Sequence, residues 1–327
     1  MKVYDDSKIY IIAPRDLFTG GPLSLHQLGS ALQNLNYDVR MFYVGNETNP
    51  LHPELKKFNL PITEDLEDSE KNIWIFPETL FLYMKMPMKS RIIIWWMSVD
   101  FHFYRLHDRL FYFLQDQAFE KYPSPMLNLF RLYEYDHLYQ GEYARRVLTL
   151  NQVPPEKILH ELRGYLAKAF YDNESKIKLD SKKDQIVYNP KKGFEFTQKI
   201  IESAPDLTFI PIQNMTPDQV QNLLSRSKVY IDFGNHPGRE RIPREATMSH
   251  CVVITGRRGS ANNPIDVPID NDFKFEDDPK NIPRIISKIR YVFENFQTEH
   301  DRQNSYREVI LHERDKFFHD VANIFQR

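Results

Sequence analysis

The chain has 327 residues, a formal net charge of −2, 41% hydrophobic and 13% aromatic residues, and one cysteine. That length suits two α/β domains, the apolar share excludes general disorder, and the near-zero charge excludes bulk electrostatic recruitment to nucleic acid or an anionic membrane. A lone Cys251 leaves no disulfide framework, and the start "MKVYDDSKIYIIAP" puts aspartates where a signal peptide needs its apolar core, so a cytoplasmic protein is expected.

"KIYIIAP" reads as a first strand and "DVRMFYV" as a second, with a helix opening at Pro22 between them. Leu25, Leu28, Leu32 and Leu35 give that helix one apolar stripe, so the unit is β-α-β and its strands are parallel. "IWIFPE" and "RIIIWWMSV" follow as continuous apolar strands, the pattern of a sheet covered on both faces. "RRVLTL" reads as one more strand, and "QVPPEKI" as a hinge near residue 155.

The plan then repeats. "QIVYNP" is a strand, "FEFTQKIIES" a helix and "LTFIPI" a strand. "TPDQVQNLLSRS" is a helix with Thr216 as its cap and Pro217 in its first position. "KVYIDFG" and "HCVVITG" are strands, and a short helix beginning at Pro243 lies between them. Beyond residue 280 the chain turns helical and charged. The expected fold class is α/β with two Rossmann-like doubly wound domains, residues 1–155 and 156–300, and a C-terminal helical tail over 301–327.

Open parallel sheets bind ligands beyond the carboxyl ends of their strands, so chemistry is sought in the loops that follow strands. There are only 11 glycines, and five of them (Gly193, Gly234, Gly238, Gly256 and Gly259) fall between residues 193 and 259. After the first strand, Gly20 and Gly21 form either a tight turn or a cradle of backbone N–H groups for an anion. Their spacing is not a dinucleotide fingerprint, which disfavours a nicotinamide cofactor. His26 reads as a satisfied helix residue. After "RIIIWWM", Asp100 and His102 either cap the next helix or face a substrate. "FHFYRLHDRLFYFLQDQAFEKY" reads as core, with the acceptor side of a site as its other reading.

In the second half, Lys191, Lys192 and Gly193 make a cationic corner suited to phosphate. The stretch "NHPGRERIPREATMSHCVVIT" carries the strongest signal. Gly238 loosens the backbone, Arg239, Arg241 and Arg244 supply planar donors, and Glu245 lies one turn into a helix whose positive end faces the loop. "TGRRGS", with Arg257, Arg258, Gly259 and Ser260, follows the next strand on the same side of the sheet. A helix N-terminus with arginines suits a diphosphate, and a carboxylate one turn in suits a ribose diol.

On those residues the chain resembles the GT-B glycosyltransferases, and family 4 in particular. "YIDFGNHPGRERIPREATMSHCVVIT" is similar to the family's donor-binding segment, "NPKKG" to its Lys-Gly corner, and "TGGPLSLHQLGSALQNLNYDV" to its N-terminal Gly-Gly loop and helix. The resemblance implies that Lys192 contacts a donor diphosphate, Glu245 binds the ribose, and Gly20 and Gly21 approach the donor phosphates and sugar. It places Asp100 and His102 near the transferred sugar. The family's first, sugar-facing glutamate would stand at Pro237, so it is missing or shifted to Glu240, which then joins Asp100 and His102 as a catalytic candidate, and its arginine is matched by Lys191 or Arg239.

The expected function is transfer of a sugar from a nucleotide diphosphate to a glycan or lipid-linked acceptor hydroxyl. The resemblance implies retention at the anomeric carbon, with Asp100 or His102 orienting the acceptor, whereas in an inverting enzyme one of the two would be the general base. No metal or other cofactor is expected, because fixed cations meet the charge on the leaving diphosphate. The Asp270-Asn271-Asp272 triplet reads as a polar turn. A lipid-linked acceptor would add peripheral association with the inner face of a membrane. The alternatives are a nucleotide-sugar epimerase of the same plan and a catalytically inactive nucleotide-sugar-binding subunit.

Overall fold

A computed structural model describes residues 1–45, 47–81, 84, 86–102 and 132–327. Contacts divide the chain into two compact units, residues 1–164 with 315–327, and residues 165–314.

The first unit contains β1 (Lys8–Pro14), β2 (Asp38–Val44), β3 (Ile73–Pro77), β4 (Arg91–Trp96), β5 (Asp136–Tyr139) and β6 (Ile158–Glu161). They form one parallel sheet in the order β2-β1-β3-β4-β5-β6. β1, β3 and β4 are buried along nearly their whole length, as their unbroken apolar runs require of a sheet covered on both faces. Helix α1 (Gly20–Asn34) buries Leu25, Leu28 and Leu32, three of the four leucines that define its stripe. Leu35 falls outside it as the C-cap and stays exposed.

One element differs in kind from the sequence expectation. "RRVLTL" is not a strand but the end of helix α2 (Glu142–Leu150). Ala144 and Leu148, one turn apart, are the residues it buries, while Arg145 and Arg146 turn back to Glu142 at 2.6 and 3.1 Å. That is helical spacing for both the apolar and the charged groups. The strands that extend the sheet are the four-residue β5 and β6, too short to stand out as periodic runs.

The second unit contains β7 (Lys183–Tyr188), β8 (Thr208–Pro211), β9 (Ser227–Asp232) and β10 (Val252–Thr255) in a parallel sheet ordered β10-β9-β7-β8. Between and after them lie α3 (Lys168–Glu174), α4 (Phe194–Ser203), α5 (Pro217–Ser225), α6 (Arg241–Met248), α7 (Ile282–Glu294), α8 (Phe296–Asp301) and α9 (Asn304–Leu311). α5 starts as its sequence dictates. Thr216 accepts from the Gln219 amide, the Gln219 side chain accepts from the Thr216 amide, and Pro217 occupies the first turn. Ile186, Val229, Ile231, Val252, Ile254, Ile285 and Ile289 build the core against the sheet.

The division falls after Gly164 rather than near residue 155, because residues 155–157 form a turn that leads directly into β6 of the first sheet. The terminal helix α10 (Glu313–Ile324) is not a separate tail. From residue 315 the chain returns to the first unit, where Phe317, Val321 and Phe325 are buried and Gln326 exchanges backbone hydrogen bonds with Met1 and Val3. Among the described residues no helix is long and apolar enough to cross a membrane. The aromatic stretch read as core lies, from Phe103 onward, outside the described residues.

Candidate functional site

In the second unit three loops leave the carboxyl ends of neighbouring parallel strands: residues 189–193 after β7, 233–240 after β9, and 256–263 after β10. The first two touch backbone to backbone. Gly193 adopts a left-handed φ of 60°, and a Cβ there would collide with the Phe233 carbonyl; a Cβ on Gly234 would lie 2.5 Å from that of Lys192. Glycine at both places therefore sets how closely the loops approach.

That approach brings Lys192 to Glu240, with Nζ 2.5 Å from Oε2. Lys191, its neighbour, is exposed. Glu240 is the N-cap residue of α6, which begins at Arg241, two residues before Pro243; proline is tolerated there because first-turn amides need no helical acceptor. One turn in, the buried Glu245 forms an ion pair with Arg241 at 3.2 Å. Burial pushes the Glu245 carboxyl above the usual carboxylate range, against the pull of Arg241 and Arg244. The third loop is tied to the second: the Ser260 hydroxyl donates to the Gly238 carbonyl at 2.6 Å, and the Ser260 amide to the His236 carbonyl at 2.9 Å.

Two of the expected phosphate ligands are otherwise engaged. Arg239 and Arg244 each lie 2.6 Å from an oxygen of Glu313, and all three side chains are buried. The sequence expectation put both arginines on a donor; the structure commits them to a carboxylate distant in sequence, because a buried charge needs a partner.

Sequence reading also passed over a pair beneath the loop. His236 is buried with Nε2 3.3 Å from Asp232 Oδ1. Asp232 also accepts from the Gly234 amide at 3.0 Å and the Tyr230 hydroxyl at 2.9 Å. Burial is the largest influence on each and opposes both charges, but the opposite charge and the hydrogen bonds together outweigh it, so Asp232 lies below its ordinary range and His236 above. The signal was present, since an acid closing a strand with a histidine four residues on is a pattern a turn can close.

In the first unit Gly20 and Gly21 open α1, and the space beside Gly20 is open. Asp100, just past β4, accepts from the Tyr143 hydroxyl at 2.7 Å. His102 is buried, donates Nδ1–H to the Glu78 carbonyl at 2.8 Å and stacks on Phe81. Burial holds its pKa below the usual histidine value. Glu78 was missed by sequence reading. It is buried at the end of β3, accepts from the Met97 and Ser98 amides at 3.0 and 2.8 Å, and burial pushes its carboxyl up to about 7. His26 is a satisfied helix residue, donating to the Pro22 carbonyl at 2.7 Å and meeting the Tyr43 hydroxyl at 2.8 Å. Asp270 and Asp272 flank Asn271 in a short 3-10 turn and pair with Arg302 at 2.8 and 2.7 Å.

No family model and no curated protein sequence matches the chain. Solved structures do. Anabaena HepE in complex with UDP superposes with a TM-score of 0.64 at 9% identity, over 97% of this chain and 98% of that one. HepE has also been solved in complex with UDP-glucose, with a TM-score of 0.63. WaaG, a glycosyltransferase involved in lipopolysaccharide biosynthesis, gives 0.59 at 10% identity over 96% and 99%. Sucrose-phosphate synthase from Thermosynechococcus elongatus gives 0.57 at 11% over 96% and 99%. At these identities the likeness is one of fold: the chain has the two Rossmann-like units of the GT-B plan, with helices at its C-terminus.

Proposed function

We propose that this chain is a glycosyltransferase that moves a sugar from a nucleoside diphosphate to the hydroxyl of a glycan or lipid-linked acceptor. The observation that carries the reading is local. Lys192, on the loop after β7, and Glu245, on helix α6 after β9, follow the carboxyl ends of adjacent parallel strands, in a fold shared with a protein solved with UDP and UDP-glucose. Lys192 would meet the diphosphate, with Lys191, Arg241 and the amides at the start of α6 adding positive potential. Glu245, held by Arg241, would accept from the ribose diol. Gly238 and Ser260 shape the backbone around the donor.

As the glycosidic bond breaks, negative charge develops on the leaving diphosphate, and cations fixed before the reaction stabilise it there. With Lys192 and Arg241 in that role, the transfer is proposed to be metal-independent, with retention at the anomeric carbon. Asp100, its carboxylate oriented by Tyr143, is proposed to act on the transferred sugar, and Gly20 and Gly21 on the donor phosphates, as the resemblance implies. A lipid-linked acceptor would bring the protein to the inner face of a membrane from a cytoplasmic location.

The test is a thermal-shift screen of the purified protein against UDP, GDP, CDP, dTDP and their sugar conjugates. A ligand that binds only the folded state raises the melting temperature. One diphosphate doing so supports the donor site and names the base. No shift at millimolar concentration with any of them removes the reading.

A further inference from the structure

We propose that Glu240 is an internal stand-in for a donor phosphate: its carboxylate occupies Lys192 in the unliganded chain, and a nucleoside diphosphate takes its place and releases it. This rests on the reading of Lys192 as a diphosphate contact and adds what that cation does before the donor arrives.

The pairing is built in. Lys192 and Glu240 lie 48 residues apart on separate loops, yet meet at 2.5 Å. They do so because the two loops are held in contact at Gly193 and Gly234, positions that admit no side chain without displacement. Both side chains are partly exposed, at 28% and 20%, so a ligand can reach the pair. Beneath it lies the fixed couple Asp232 and His236, which anchors the same loop through the Gly234 amide. Asp232, His236, Glu240 and Lys192 therefore alternate in sign when His236 is protonated. Glu240 also helps to keep His236 charged, after Asp232, while Lys192 works against that charge.

The chemistry of exchange follows. An ammonium offers three N–H donors and accepts nothing, so carboxylate and phosphate oxygens compete for the same group. A diphosphate brings more charge and more acceptor oxygens than one carboxylate, and can displace it. Until it does, Glu240 satisfies Lys192, and the exchange costs that ion pair. Glu240 thus sets the donor affinity from the unfavourable side, whereas a residue contacting the donor sets it from the favourable side.

The experiment is calorimetric titration of inorganic pyrophosphate and UDP into wild type, Glu240→Gln, Lys192→Ala and the double variant. Glu240→Gln is expected to bind both ligands about fivefold or more tightly than wild type, because a competing like charge is gone. In the Lys192→Ala background the same substitution is expected to give little gain, since there is no cation left to release. An equal gain in both backgrounds would assign the effect to general repulsion and overturn the stand-in. Weaker binding by Glu240→Gln would make Glu240 a donor contact and overturn it too, while wild-type binding of UDP kept the donor reading intact. No binding of either ligand to wild type or to Glu240→Gln would remove both together.

Discussion

Glu313 and Arg244 meet at 2.6 Å inside the second unit, 69 residues apart in the chain. Arg239 reaches the other carboxylate oxygen at the same distance, so one glutamate at the start of α10 holds both arginines of the loop and helix that follow β9. Removing one member of a buried set leaves the others charged and uncompensated. Glu313→Gln is expected to destabilise the second unit by about 3–5 kcal/mol, read by urea denaturation. Arg241→Ala, whose side chain is 37% exposed, should cost far less. A loss below that of Arg241→Ala would show that Glu313 does not organise the loop.

Lys192→Ala should weaken UDP binding about tenfold or more while moving the melting temperature little, because a partly exposed ion pair contributes little to folding. Glu245→Gln should also weaken UDP. Its effect on inorganic pyrophosphate should be small, since that ligand has no ribose. Equal losses with both ligands would move Glu245 from the ribose to the diphosphate.

Gly193→Ala tests the contact between the loops. A Cβ there must adopt a left-handed φ and also meet the Phe233 carbonyl, so something has to shift. The expected cost is about 1–3 kcal/mol, together with weaker UDP binding because Lys192 moves with the corner. Unchanged affinity alongside reduced stability would separate loop geometry from the cation.

Glu78 gives the first unit a pH dependence of definite sign. Its folded value, about 7, lies above the ordinary value of 4.5. The folded chain therefore holds the proton more tightly than the unfolded chain. The stability that Glu78 contributes is present below 4.5 and is lost as pH rises through about 7. The difference amounts to about 3 kcal/mol at most, at 1.36 kcal/mol per pH unit. Glu78→Gln should flatten denaturation midpoints across that window. A wild-type profile already flat there would mean that the amides of Met97 and Ser98 hold the carboxylate ionised.

Asp100→Asn should lower turnover more than it raises the donor KM, since the proposed role lies at the transferred sugar rather than on the nucleotide. Tyr143→Phe removes the hydroxyl that orients Asp100 and should give a smaller loss in the same direction. A raised donor KM with unchanged turnover would place Asp100 in the donor pocket instead.

Periodicity carried the fold a long way. The apolar runs of β1, β3, β4, β7, β9 and β10, the leucine stripe of α1 and the Thr216–Pro217 start of α5 are local signals, and each element formed where its residues placed it. Local patterning failed at residues 145–150, where a β-branched and apolar run hid a helical spacing that only burial of Ala144 and Leu148 reveals. It also failed at the four-residue β5 and β6, whose place is set by pairing, β5 with β4 and β6 with β5, rather than by their own composition.

By itself the sequence determined that phosphate-suited groups follow β7, β9 and β10, because strand ends and helix starts are written in consecutive residues. Tertiary structure alone decided which of those groups face one another. Lys192 meets Glu240, Arg239 and Arg244 turn inward to Glu313, and His236 closes on Asp232. The reason is electrostatic. A charge on a loop can stay in water or find a partner, and when folding buries it, a partner of opposite sign becomes obligatory wherever in the chain that partner lies.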